Sequence, residues 1–237
     1  REFPSVHRPL AVKNTMPVVH KLQFHEITES VVAAKTKFGG QPVWLERPVI
    51  PLSRRTGKAM TFIGQVRVPS VWVGDERIRL AYLFMTGAGF DQNAMETWNP
   101  NEGETAVVLQ CGSKPVVHHQ PYPDVLQCWK EIDGRRVQVA CEYAVEETPV
   151  DEPEYMTQEE TDQLSDSARE ERVELWSGNK IGGSPYWIQG EELPYPDGRL
   201  LLQLEDGAYP FNLNLGTGVG YVFVNADCTQ GQLLWQC

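Results

Sequence analysis

One nine-residue phrase occurs twice in this chain. Residues 37–45 read KFGGQPVWL and residues 180–188 read KIGGSPYWI. The residues after each copy repeat as well. An apolar run carrying a glutamine comes next, Phe62-Ile63-Gly64-Gln65 in one case and Leu201-Leu202-Gln203 in the other. Tyr82-Leu83-Phe84-Met85 and Tyr221-Val222-Phe223-Val224 then lie 17 and 18 residues beyond their glutamines. Each unit closes on Gln-Cys, at Gln110-Cys111 and Gln236-Cys237. Four correspondences in one order imply an internal duplication. The expected organisation is a leader over 1–36, a first repeat over 37–111, an insert over 112–179 and a second repeat over 180–237, all in one compact domain.

The duplicated segments read as strands. MTFIGQVRV alternates, with Phe62, Gly64 and Val66 expected on one face and Ile63 on the other. RLAYLFMTG, TAVVLQCG, RRVQVACEYAV, GRLLLQLED, GVGYVFVNAD and GQLLWQC continue the pattern. Turn residues punctuate them in GAGFDQN, NPNEGE, LPYPDG and NLGTGVG. Short strands without intervening amphipathic helices point to antiparallel sheet. Pro48 and Pro51 confine VWLERPVI to an edge strand or an extended loop. Two helices are expected: a weak one in HEITESVVAAKT, capped by Thr28 or Ser30, and a surface helix over 158–176, opened by a capping box at Thr157 and Glu160. The fold class expected is mainly β (α+β): internally duplicated antiparallel sheets with a few peripheral helices.

Within the phrase, the glycines permit a left-handed turn and close backbone approach. The proline stiffens the next step, and the tryptophan buries its indole. Gly39, Gly40, Pro42 and Trp44, with Gly182, Gly183, Pro185 and Trp187, are therefore expected to be structural corners. The glutamines are a different matter, because an unpaired amide in an apolar strand costs a few kcal/mol. Gln65 and Gln203 imply either a buried network between the halves or a two-point grip on a ligand's backbone.

Charge narrows the partner. The net charge is −11, and residues 146–174 hold 12 acids against only Arg169 and Arg172, leaving the rest of the chain near neutrality. A basic nucleic-acid surface is excluded by this balance. A partner selected by charge is basic, and the alternative for the segment is a solvated connector. No apolar run approaches the roughly 18–20 residues that span a bilayer, so no membrane partner is expected and the expected location is cytoplasmic. Cys111, Cys128, Cys141, Cys228 and Cys237 form no CxxC and match no zinc spacing. They read as free thiols, with a single disulfide or a metal site using His118-His119 as the alternative.

Catalytic signatures are missing: GxSxG, HExxH and GxxxxGK[ST] do not occur. Gly216-Thr217-Gly218-Val219-Gly220 mimics a dinucleotide loop, but Tyr221 takes the third glycine's place and a strand follows where a helix should open. His118-His119 with Cys111 and Cys128 is the best nucleophile–base set, and it lies in an insert without a counterpart in the second repeat. Glu205, Asp206 and Asp197 fall at turns, where solvated carboxylates are usual.

The repeated phrase, the glutamine strand and Tyr-Leu-Phe-Met together resemble the YwqG-like bacterial domain family of unknown function, over most of residues 30–237. That family is similar in turn to the eukaryotic programmed cell death protein 2 chaperones, which shield a newly made ribosomal protein. The resemblance implies a duplicated, sheet-rich fold that holds an extended peptide. Bacterial members found beside polymorphic toxins imply an immunity role. The zinc elements of the eukaryotic relatives have no matching cysteine pairs here.

The functional expectation is a non-enzymatic protein-binding module, an immunity protein or client-specific chaperone. It would grip a basic or extended segment of a toxin domain or nascent client, without cofactor or metal. The expected partner-binding residues are Gln65, Tyr82, Gln203, Tyr221, Asp151, Glu152, Glu154, Glu159, Glu160 and Asp162. The alternative is a small-ligand binder or hydrolase using the cleft between the repeats.

Overall fold

A computed structural model describes residues 19–74, 76–88 and 96–237. The first half of the expected leader and most of the GAGFDQN turn lie outside the described residues. The strands are β1 (Val19–Glu26), β2 (Lys37–Gly39), β3 (Thr61–Arg67), β4 (Ile78–Met85), β5 (Thr105–Gly112), β6 (Gln127–Ile132), β7 (Arg135–Ala140), β8 (Glu142–Val150), β9 (Lys180–Ile181), β10 (Arg199–Glu205), β11 (Val219–Val224) and β12 (Gly231–Gln236). The helices are α1 (Ser70–Val73), α2 (Gln158–Asp162) and α3 (Asp166–Trp176). The chain is thus mainly β, as its patterning implies.

Ten strands close an antiparallel barrel in the order β1-β8-β2-β3-β4-β5-β12-β11-β10-β9, and β6 and β7 form a separate hairpin. The duplication organises the ring. Read outward from the β1–β8 pair, one direction runs β8-β2-β3-β4-β5 and the other β1-β9-β10-β11-β12. The two runs meet where β5 pairs with β12. Each repeat alone is an open four-stranded sheet with exposed edges, an arrangement prone to further pairing. β1 and β8, paired from Val19↔Val150 to Glu26↔Tyr143, supply the missing wall and remove those edges.

The leader and the insert each contribute a full barrel strand, β1 and β8, and RRVQVACEYAV in the insert reads as strand. The weak helix expected in HEITESVVAAKT does not form: residues 25 and 26 end β1 and no helix forms between β1 and β2. Weak helical spacing yields at its first two residues, His25 and Glu26, where β1 pairs with β8.

The apolar side chains divide into three groups. Ile63, Val66, Ala81, Leu83, Leu201, Leu202, Val222 and Leu233 belong to the cluster that fills the barrel interior. Trp44, Phe62, Leu80, Tyr82, Phe84 and Tyr122 pack on the outer face of the first repeat. Leu200, Val219, Tyr221, Phe223 and Leu234, with Trp187 and Tyr195, do the same on the second. Central strands covered on both faces read as unbroken apolar runs.

The simple alternation expected for β3 fails at one point. A bulge shifts the register between Phe62 and Gly64, and its counterpart lies between Leu200 and Leu202 in β10. An extra residue reverses the side-chain phase. Ile63 therefore joins Val66 inside while Phe62 turns out to Trp44. VWLERPVI forms no strand and wraps the outer face, with Trp44 and Leu45 buried. The expected 158–176 helix is two helices. The capping box at Thr157 and Glu160 opens α2 as expected, and Ser165 caps α3 by accepting from Ala168 N. A helix is restarted wherever a side-chain oxygen satisfies free N–H groups in this way.

Candidate functional site

The repeated phrase builds the same hydrogen-bonded corner twice. In the first repeat Gln65 Oε1 accepts from Val43 N at 2.8 Å and its amide donates to Lys35 O at 2.9 Å. In the second, Gln203 Oε1 accepts from Tyr186 N at 2.8 Å and its amide donates to Trp176 O and Gly178 O. Tyr82 OH donates to Val43 O at 2.8 Å, and Tyr221 OH donates to Tyr186 O at 2.5 Å. Burial pushes both phenols well above the ordinary tyrosine range. Gln110 Oε1 accepts from Leu45 N and Glu46 N, while Gln236 Oε1 accepts from Ile188 N and Gln189 N. Every one of these contacts stays within its own repeat or reaches the residues just before it.

The lysine that opens each phrase is fully buried. Lys37 Nζ lies 2.6 Å from Glu142 Oε1, and Lys180 Nζ lies 2.8 Å from Glu152 Oε2. The backbone joins in: Val31 N donates to Glu142 and Ser184 N to Glu152. Desolvation by burial is the largest influence on both amines and lowers their pKa, against the opposing pull of the glutamates; Lys180 comes down to about 8. The second glycine of each phrase is where the carboxylate arrives. A Cβ on Gly40 would stand 2.2 Å from Glu142 Oε2, and one on Gly183 would stand 2.5 Å from Glu152 Oε2.

These contacts reassign four expected partner-binding residues. Gln65, Tyr82, Gln203 and Tyr221 have no exposed surface, and their polar atoms are spent on the backbone of their own corners. Both amides hold the backbone of their own corners and do not link the two halves. Glu152 is likewise buried and paired. Asp151, Glu154, Glu159, Glu160 and Asp162 remain exposed on the segment that leads through α2. Glu160 also completes the capping box, and Asp162 Oδ1 accepts from Gln158 Nε2 at 2.8 Å. Of the expected structural corners, Gly39, Gly40, Gly182 and Gly183 have φ of 68°, 61°, 76° and 77°, and Trp44 and Trp187 belong to the outer-face clusters; nothing in the structure bears on Pro42 and Pro185.

The two straps on the outer faces are unlike. On the first repeat Tyr122, from the proline-rich part of the insert, stacks near Phe84 and donates its OH to Met60 O at 2.8 Å. On the second, the acidic segment folds on itself, Tyr155 stacking on Trp176 with Arg172 over the same indole. It is tied to the second repeat by Glu152 on Lys180 and by Gln203 Nε2 donating to Trp176 O.

The interior space bounded by Ile63, Leu83, Leu202, Leu204 and Leu215 is about 10 Å³, room for no more than a water. Tyr209, Phe211, Leu213 and Leu215 fill it from the β10–β11 connection. An open groove of about 540 Å³ lies at one mouth, between Phe24 and Glu26 of β1, Cys128 to Glu131 of β6, Tyr143 and Pro210. Lys130 crosses it to Glu26.

The nucleophile–base set is not assembled into a metal site: no group of three or more His, Cys, Asp or Glu able to hold a metal forms among the described residues. His118 and His119 are exposed, and His118 Nδ1 meets Gln120 O. Gly216 and Thr217 form a turn before β11, not a phosphate loop at a helix start. No helix is long and apolar enough to cross a membrane among the described residues.

Sequence reasoning missed the Lys–Glu pairs. The repeated lysine was a usable signal, but Glu142 and Glu152 both lie in the unrepeated insert. No protein-family model and no curated protein matches this sequence.

Proposed function

We propose that this protein is a non-enzymatic binding module whose acidic strap docks a basic segment of a partner protein. The observation that carries the reading is the placement of Asp151, Glu154, Glu159, Glu160 and Asp162, all exposed on one strap over the second repeat. The barrel beneath them closes on itself over an apolar cluster, with about 10 Å³ of space between Ile63, Leu83, Leu202 and Leu215. Exposed like charges on a rigid support speed the encounter with an oppositely charged partner and select against acidic ones. The resemblance to YwqG-like and programmed cell death protein 2 domains favours an immunity protein or a client-specific chaperone within this class. An extended segment has a second place to pair: β6 and β7 make a two-stranded sheet outside the barrel, whereas the barrel strands have neighbours on both sides.

The test is selection of a random peptide display library on the purified protein, repeated on a variant carrying D151N, E154Q, E159Q, E160Q and D162N. Enrichment of Lys- and Arg-rich peptides that the variant loses, and that weakens with salt, supports the reading. Peptides without a basic bias, or retained in full by the variant, would remove it.

A further inference from the structure

The neck of the β6–β7 hairpin holds two cysteines that the proposed function does not use. Cys128 stands opposite Val139 in the hairpin register, and Cys141 comes at the junction of β7 with β8. Both are free, both are buried, and both belong to the interior cluster. Cys141 N donates to Leu126 O, two residues before Cys128, so the two cysteines face the same side at diagonal positions of neighbouring strands. Tyr143 OH donates to Cys128 Sγ at 3.6 Å, and the Cys141 thiol donates to Leu126 O at 3.7 Å.

The two are not equivalent. Cys128 lines the 540 Å³ groove, so a molecule in the groove meets its sulfur. Cys141 lies behind it and does not line the groove. Burial pushes the Cys141 thiol well above the ordinary cysteine range, with its contact to Cys128 adding to the effect. That leaves it a poor first nucleophile, since the thiolate is the reactive form.

We infer that Cys128 and Cys141 are a redox pair, closed by a low-molecular-weight disulfide that enters through the groove, with Cys128 as the entry thiol and Cys141 as the resolving thiol. Cys128 sulfur, having given up its proton, attacks one sulfur of the small disulfide. The S–S bond breaks, one small thiol leaves with the proton, and a mixed disulfide remains on Cys128. Cys141 then attacks Cys128 sulfur, and the second small thiol leaves with the second proton. The protein loses two electrons and two protons, and the small disulfide gains both. Closing the bond draws the two sulfurs, at diagonal positions on neighbouring strands, to about 2.05 Å. The crosslink ties β6 to the start of β8 and fixes the hairpin over the barrel mouth. In the reduced protein, Lys130 to Glu26 and Tyr143 to Cys128 are side-chain ties between the hairpin and the barrel. This thiol chemistry does not depend on the identity of any protein partner.

The experiment uses the full chain with C111S and C237S, which removes the two cysteines that are not buried. Oxidised glutathione is the probe, with alkylation quenches over time and mass spectrometry of the peptides. The expected course is a mixed disulfide on Cys128 first, then a Cys128–Cys141 crosslink without bound glutathione. Trypsin cleavage at Arg135 and Arg136, exposed on β7, slows several-fold once the crosslink forms. Adding C141S leaves glutathione on Cys128, while adding C128S leaves Cys141 unmodified. Glutathione appearing first on Cys141 overturns the assignment of roles. Two thiols still free after prolonged exposure, or a crosslink that forms only in denaturant, overturns the pair. The time course on unsubstituted Cys128 and Cys141 decides the matter even if either serine variant fails to fold.

Discussion

Lys37 and Glu142, 105 residues apart in the chain, hold a 2.6 Å ion pair with none of the lysine exposed. Lys180 and Glu152 repeat it at 2.8 Å. Glu142 begins β8 and Glu152 lies just past its end. The unrepeated insert, at the start of β8 and just past its end, therefore supplies the carboxylate for both copies of a repeated corner. The duplicated halves are joined by a shared strut as well as by the β5–β12 seam.

Breaking the first pair from one side is expected to be costly. Lys37→Met leaves Glu142 buried without its cation, and such losses run to about 3–5 kcal/mol. Lys37→Met combined with Glu142→Gln should lose less than the sum of the single changes, because neither then strands a buried charge. Urea unfolding of the four proteins of the cycle measures this. Additivity would mean that the pair does not act as a unit.

The second pair makes stability depend on pH with a sign opposite to the usual ion-paired lysine. Lys180 is lowered from 10.5 to about 8 in the folded protein. Above pH 8 the unfolded chain still holds this proton and the folded one releases it, so stability rises with pH through that window. The contribution is on the order of 1–2 kcal/mol between pH 8 and roughly 9.5. Beyond that, the buried tyrosines oppose it: their folded pKa values are raised, so the unfolded chain ionises first and stability falls. Unfolding free energies against pH, for the protein and for the K180M/E152Q variant, isolate the effect. The two curves running parallel from pH 7 to 9.5 would contradict it.

Two glycines with similar backbone angles should respond differently to alanine. Gly40 has φ 61° and Gly57 has φ 68°. A Cβ at Gly40 meets the Glu142 carboxylate at 2.2 Å, whereas one at Gly57 meets nothing within 4 Å. Gly57→Ala should cost only the left-handed backbone penalty, about 1 kcal/mol. Gly40→Ala adds displacement of a buried charge and should cost at least twice as much. Equal shifts in the denaturation midpoint would show that Glu142 moves aside freely.

The duplication, the strand class and the capping box at Thr157 were legible because each is written in local residue order. The buried role of Gln65 and Gln203 was half legible. An amide in an apolar strand demands partners, but whether these come from its own corner or from another molecule depends on where residues 35 and 43 fold back. The barrel closure was not legible. β1 carries two histidines and a lysine among its eight residues, and only pairing with β8 and β9 makes it a strand. The bulge at Phe62 was hidden for a similar reason. Ile63 and Phe62 are both apolar, so reversing the phase leaves no trace in the hydrophobic pattern.

The two tryptophans of the repeated phrase should differ in what their loss costs. From sequence, Trp44 and Trp187 look equivalent, and their rings do pack alike, with centroids 4.6 Å from Tyr82 and 4.7 Å from Tyr221. Their cover differs. Trp44 is 4% exposed and has Tyr122 of the proline-rich strap as a further neighbour, 6.5 Å away. Trp187 is half-buried at the edge of its cluster. Trp44→Ala should therefore cost about 3–5 kcal/mol and Trp187→Ala distinctly less, since the cost tracks the packing that is lost. Tyr122→Phe, which removes only the hydrogen bond to Met60 O, should cost about 1 kcal/mol. Urea midpoints for the three variants give the order directly. Trp187→Ala proving as damaging as Trp44→Ala would mean that the acidic strap covers the second repeat as tightly as the proline-rich strap covers the first.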